Sequence, residues 1–136
     1  MNMPDGDETV TVKVLSSLGE VSAEDWDACA GPENPFVSHM FLKTLEDASA
    51  ACGESGWLPQ HVVIEGPSSR LIGAAPCYLK NHSHGEYVFD WGWADAYERA
   101  GGQYYPKLQV SVPFSPVSGP RLMVRDGEDK YHTRRM

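Results

Sequence analysis

Basic residues are scarce. The 136-residue chain has 11 Lys and Arg against 19 Asp and Glu, a net charge of −8 and a pI near 5.0. Non-specific DNA or RNA binding rests on Lys and Arg meeting phosphates, so this balance opposes it. It also opposes anionic membrane surfaces, and Arg134-Arg135 is the one basic doublet. Cysteine is also sparse: Cys29, Cys52 and Cys77 form no Cys-x-x-Cys pair, so neither a disulfide framework nor a zinc knuckle is expected. The longest nearly apolar run, Leu71 to Leu79, is too short to span a bilayer. The acidic start MNMPDGDETV lacks the basic and apolar regions of a signal peptide, and together with the free thiols it implies a cytoplasmic protein. Neither a repeat nor a low-complexity segment occurs.

Hydrophobic residues make up 41% of the chain and charged residues 22%, a globular composition sufficient for one core. Residues 1–8 read as a flexible leader, 9–124 as the folded domain and 125–136 as a charged, mobile tail. Thr9 to Leu15 alternates as a strand with Val10, Val12 and Val14 on one face. Ser22 caps a short helix, with Asp25 completing a capping box, Val21 and Trp26 a hydrophobic staple, and Gly31 the stop. Ser38 caps a second helix, His39 to Cys52, whose stripe is Phe41, Leu45, Ala48 and Cys52. Gln60–Glu65 and Leu71–Lys80 then predict an antiparallel hairpin, with Pro76 marking an edge or a bulge. EYVFD (86–90) reads as a short extended piece, and Asp90 as the cap of a third helix with a Trp93, Ala96, Tyr97, Ala100 stripe. Lys107 to Phe114 alternates as a half-buried strand, with Lys107 toward solvent, and RLMV (121–124) predicts a further short strand. The order is strand-helix-helix-strand-strand-helix-strand, a mixed α/β arrangement.

The polar and aromatic residues that suit a site concentrate between Asn81 and Leu122. Transfer of an acyl group to an amine needs a base and donors for the developing oxyanion. His82, Glu86 and Asp90 are the candidate catalytic bases. His39, Trp91, Tyr104, Tyr105, Lys107 and Arg121 are the candidate substrate-binding residues, Arg121 as an anchor for a carboxylate or phosphate. Each has a structural alternative: Asp90 as helix cap, Glu86 on a solvated face, the aromatics as core, His39 as a partly exposed structural residue. His82, His84 and Glu86 alternate and would share one face if extended, but no metal site is expected.

The segments NPFVSH (34–39), GWLPQH (56–61), GAAPCYLKNHSHGEYVFDWGWADAYERAG (73–101), YYPKL (104–108) and PFSPVSGPRL (113–122) carry a resemblance. Over Asn34 to Leu122 the chain resembles a bacterial family of predicted N-acyltransferases, the peptidoglycan biosynthesis/recognition proteins. Those are Fem-like members of the GNAT superfamily, long carried as a domain of unknown function. The resemblance implies a GNAT-like fold and acyl or aminoacyl transfer to an amine such as a peptidoglycan precursor. For full-length members the implied donor is acyl-CoA or aminoacyl-tRNA. It also implies that the chain is an incomplete, amino-terminal GNAT-like domain whose carboxy-terminal GNAT-like half is missing. No cofactor is expected within the chain itself: Arg99 to Tyr104 fits only the first four places of the acyl-CoA signature and follows a helix rather than a strand. The alternatives are a non-catalytic peptide- or glycan-binding module and a truncated gene product.

Overall fold

The computed structural model describes residues 9–87 and 89–136. The leader (1–8) and Val88 of the EYVFD stretch lie outside them, and the other residues of that stretch form no strand. The described chain is mixed α/β, with two antiparallel sheets and four helices.

Strand β1 (Thr11–Leu15) leads through a capped 3-10 turn into α1 (Ala23–Ala30). The Ser22 hydroxyl accepts the Asp25 amide, and Gly31 ends the helix with φ 74°. The expected reciprocal half of the box is absent because the Asp25 carboxylate pairs with Arg125 instead, at 2.5 Å. Ser38 caps α2 (His39–Asp47), which is shorter than expected: Ser49 turns left-handed (φ 59°) and breaks the helix before Cys52. Its innermost residue is Leu42, with Phe41 packed against the same cluster, while Leu45 packs against a second one of Ala51, Trp57 and Tyr78 and Ala48 is exposed.

β2 (Leu58–Pro59), β3 (His61–Glu65), β4 (Leu71–Ala75) and β5 (Cys77–Lys80) complete the expected hairpin and give it an unexpected form. β3 and β4 lie inside a four-stranded sheet of order β1-β3-β4-β7, whereas β2 and β5 belong to a three-stranded sheet of order β2-β5-β6. The register is nevertheless unbroken from Leu58↔Leu79 through Val62↔Ala75 to Ile64↔Gly73. Pro76 therefore marks neither a sheet edge nor an extra residue. It lacks an amide hydrogen, so the ladder is interrupted where the two sheets meet. Next to it the Cys77 amide donates to His61 Nδ1, and His61 Nε2–H donates to Glu46 on α2 at 2.8 Å, which fixes the tautomer.

α3 (Trp91–Arg99), β6 (Lys107–Val110), β7 (Met123–Val124) and α4 (Lys130–Thr133) follow. α1 and α2 cover one face of the four-stranded sheet around Trp26, Val37, Leu42, Val63 and Ala74. Trp26 is fully buried, and its indole N–H donates to the Val37 carbonyl.

The packing decides three faces. Val12 and Val14 share a face, but it is the uncovered one, 53% and 59% exposed, because α1 and α2 lie on the side of Leu15. In β6 the apolar residues Leu108 and Val110 face out while Lys107 and Gln109 turn in. The stripe on α3 is not core either: Trp93 and Tyr97 are exposed and Ala94 is the buried position. Residues 125–136, expected as a mobile tail, fold back: Arg125 donates to the Leu71 carbonyl, and Thr133 is buried.

Candidate functional site

The inward face of the three-stranded sheet carries Tyr78 and Lys80 from β5 and Lys107 from β6, directly opposite Lys80. Strand alternation puts both lysines on the side where the 81–86 loop folds over them. That loop is held by its His84 carbonyl, which accepts from Lys80 Nζ at 2.8 Å and from the Trp57 indole at 3.2 Å. Gly85 permits the close approach: its φ is 79°, and a Cβ there would meet Phe114 Cε1 at 2.6 Å and Trp57 Nε1 at 2.7 Å.

Two lysines and two carboxylates thus meet in one cluster. Lys107 Nζ donates to Glu86 Oε1 at 2.8 Å and to Asp90 Oδ2 at 2.5 Å. Asp90 also accepts from the Tyr104 hydroxyl and from Ser83 Oγ, and Ser83 lies 2.5 Å from the Tyr105 hydroxyl. Lys80 is fully buried, 3.5 Å above the Trp57 ring centroid, with Glu86 Oε2 at 3.4 Å. That last approach is an ion pair without a hydrogen bond, so Oε2 keeps its lone pairs free while being covered. The Glu86 side chain is only 6% exposed, in the wall of an open groove of about 480 Å³ shared with Gly85, Tyr87, Phe89 and Phe114.

The charges tune one another. Burial would raise the Asp90 pKa, but hydrogen bonds from Lys107, Ser83 and Tyr104 outweigh it and hold it at about 2. Burial would lower the Lys107 pKa, and the hydrogen bonds to Asp90 and Glu86 reverse the sign and raise it. Lys80 goes the other way, lowered chiefly by burial against the opposing pull of Glu86. The hydrogen bond to Asp90 raises the Tyr104 phenol. Asp90 is thus a fixed anion. Its depressed folded pKa gives stability that is complete above the ordinary value of 3.8 and is lost as pH falls through about 2. With solvent screening the contribution is about 1 kcal/mol. Acid titration of stability followed by circular dichroism should show a shallower loss between pH 4 and pH 2 in Asp90→Asn than in the parent; identical slopes would remove this role.

Of the residues singled out from the sequence, Glu86, Asp90, Tyr104, Tyr105 and Lys107 come together. Asp90 does precede α3, but its side chain caps no amide and is committed to the cluster. His82 stands aside, its Nδ1 accepting the His84 amide and its ring against Gly56. Trp91 is exposed, stacked on Phe89 at 4.8 Å. Arg121 is spent on the backbone carbonyls of Val117 and Pro120, away from the cluster. His39 is buried, with Nε2–H donating to the Leu18 carbonyl at 2.7 Å. Among the described residues no His, Cys, Asp and Glu grouping suits a metal ion. Arg99 to Tyr104 forms a helix end and a turn at Gly101 (φ 90°), not the strand-to-helix loop that a pyrophosphate needs.

Lys80, Ser83 and Trp57 were not anticipated. Lys80 was within reach, since it alternates with Tyr78 in an apolar strand and so shares its inward direction. Ser83 is hidden between two histidines and becomes visible only once the loop closes.

A family model described as FemAB-like, peptidoglycan biosynthesis/recognition, matches residues 17–136. No curated protein and no solved structure matches the chain.

Proposed function

Because the chain belongs to the FemAB-like family of peptidoglycan biosynthesis/recognition proteins, we propose that its lysine–carboxylate cluster serves acyl or aminoacyl transfer to an amine acceptor related to peptidoglycan precursors. The observation that carries this reading is Glu86. It is a nearly buried carboxylate at a groove wall, fixed by Lys107 through one oxygen, while the other, covered oxygen faces the Lys80 ammonium at 3.4 Å without a hydrogen bond. Such a group is suited to accept the proton of an attacking amine. The new C–N bond forms as the donor's C–S or C–O bond breaks, and the proton taken by Glu86 passes to the departing thiol or hydroxyl. Lys107, kept cationic, is the nearby donor for the carbonyl oxygen as it gains charge, while the Ser83 hydroxyl donates to Asp90 and the Tyr105 hydroxyl to Ser83, which holds the cluster in place. Asp90 is too weak a base for the proton step and holds Lys107 and Tyr104 in position. The donor is an acyl-CoA or an aminoacyl-tRNA, the domain is of GNAT-like type, and the location is cytoplasmic. In support of solution chemistry, no described helix is long and apolar enough to cross a membrane.

Incubating the purified chain with a labelled acyl-CoA or aminoacyl-tRNA and a lysine-bearing muropeptide should yield an amide adduct by mass spectrometry. Absence of product with both donors would end the transferase reading. A second reading, recognition without turnover, is favoured by the exposed rings of Tyr87 and Phe89 in the groove wall and of Trp91 stacked on Phe89. Muropeptide binding by calorimetry with no adduct would select it.

A further inference from the structure

On the side of the sheets that faces away from α1, α2 and the ion cluster, the 122–136 segment lies against Gly73 and Ala75 of β4, and the surface on either side of it is open. Pleating sends Val12 and Val14 of β1, Leu58 of β2, Leu79 of β5 and Leu108 and Val110 of β6 to this side. All of these except the half-buried Leu79 are at least 38% exposed. Among the described strands no charged side chain joins them, and Gln60 is the polar exception. Because the hairpin keeps one register through Pro76, the two sheets present these residues as one surface rather than two patches. From a strand spacing of about 4.8 Å and a rise of about 3.3 Å per residue, the surface is roughly 20 Å by 30 Å, or about 600 Å² in projection. Its pleated relief presents more accessible area than that, close to the roughly 800 Å² that each partner buries in a standard stable interface. Apolar patches on monomers seldom reach this size without a partner.

We propose that this face packs against the same face of a second copy of the chain, sheet on sheet, to form a two-fold dimer. The surface carries both halves of a self-complementary contact. Val12 and Val14 form a ridge along the β1 edge, and a mostly apolar cavity of about 120 Å³ opens beside it between Val62, Ile64 and Ala75 of the sheet and Leu122, Arg134 and Met136 of the carboxy-terminal segment. In an isologous pair each ridge meets the other copy's cavity, so the contact closes on itself and does not propagate. Aligned sheets stack about 10 Å apart, a spacing that valine and leucine side chains fill. A lipid surface fits poorly, because the chain is strongly acidic and a single basic residue, Arg134 beside the cavity, is there to meet headgroups. The candidate groove lies on the opposite side of the three-stranded sheet and stays open in the dimer, so the proposal stands or falls independently of the transfer chemistry.

Sedimentation equilibrium on the full chain at micromolar concentration should give twice the 15.0 kDa chain mass. Val14→Glu and Leu108→Glu each bring a charge onto the face at positions too exposed to disturb folding. Each should weaken the dimer by about 100-fold or more while leaving the circular dichroism spectrum unchanged. Met40→Glu, on the exposed side of α2, should leave the dimer intact. A parent chain that sediments as a monomer at 100 µM would overturn the proposal, and so would a dimer indifferent to both face substitutions.

Discussion

Lys107→Met lowers the melting temperature of the chain by roughly 10 °C at pH 7, the largest loss expected from a single side chain outside the apolar core. The ammonium group is shared between Glu86 and Asp90, whose side chains are 6% and 18% exposed. Methionine fills the space of the lysine stem, so packing is kept while the two anions lose their common partner. Breaking a buried pair from one side costs about 3–5 kcal/mol, because the remaining charge has neither water nor a counter-ion. Lys107 is itself 15% exposed, so water reaches part of the cluster and the lower end of that range applies. Each kcal/mol moves the midpoint of a domain of this size by about 3–5 °C. The double variant Lys107→Met/Asp90→Asn removes one of the stranded charges and should recover part of the loss, with a coupling of at least about 1.5 kcal/mol. Thermal unfolding of the four proteins of that cycle measures both quantities. A parent-like midpoint in Lys107→Met would mean that the cluster contributes nothing to the fold.

Glu86→Gln should cut the transfer rate by about 10²–10⁴-fold with little change in acceptor binding. The amide is nearly isosteric and its oxygen still accepts from Lys107, so the loop and groove keep their shape. What disappears is the capacity to take a proton. Asp90→Asn is the internal comparison. Its carboxylate is held at about 2 and is saturated with donors, so its loss should slow transfer by less than about 10-fold. Equal rates for Glu86→Gln and the parent would move the base elsewhere, and a larger loss in Asp90→Asn than in Glu86→Gln would reverse the assignment of roles.

Local signals carried much of the fold. Ser22, Ser38 and Gly31 announce the limits of α1 and the start of α2 because caps are written within four residues of each other. The hairpin and its pairing were also legible, since two alternating runs flank a short turn. Which face of each strand is inside was not, because alternation defines two faces and leaves open which one meets the helices. Val12 and Val14 share a face by alternation, and it is the outer one because α1 and α2 sit on the side of Leu15 and Val63. Lys107 read as solvent-facing by type, yet two carboxylates brought from the loop and from the start of α3 make an inward lysine stable.

The candidate site divides in the same way. Glu86, Asp90, Tyr104, Tyr105 and Lys107 lie within one stretch, and their chemistry alone drew attention to them. His39 and Arg121 looked equally suitable by residue type. Their side chains are instead taken up by the carbonyls of Leu18, Val117 and Pro120, partners that no side-chain pattern reveals. Lys80 was overlooked because a buried lysine is rare, and only the fold supplies the indole and carbonyl that make it tolerable.

The single pairing alignment through His61 and Pro76 has a consequence for misfolding. If the β4–β5 arm slipped by one position against its partner, Ala74 would turn to water at one end while Tyr78 and Lys80 swung outward at the other. An error in zipping would be penalised at both ends at once, by lost burial in the core and by carboxylates without their cation. The side chains that make up the ion cluster therefore also help the chain to reject wrong alignments as it folds.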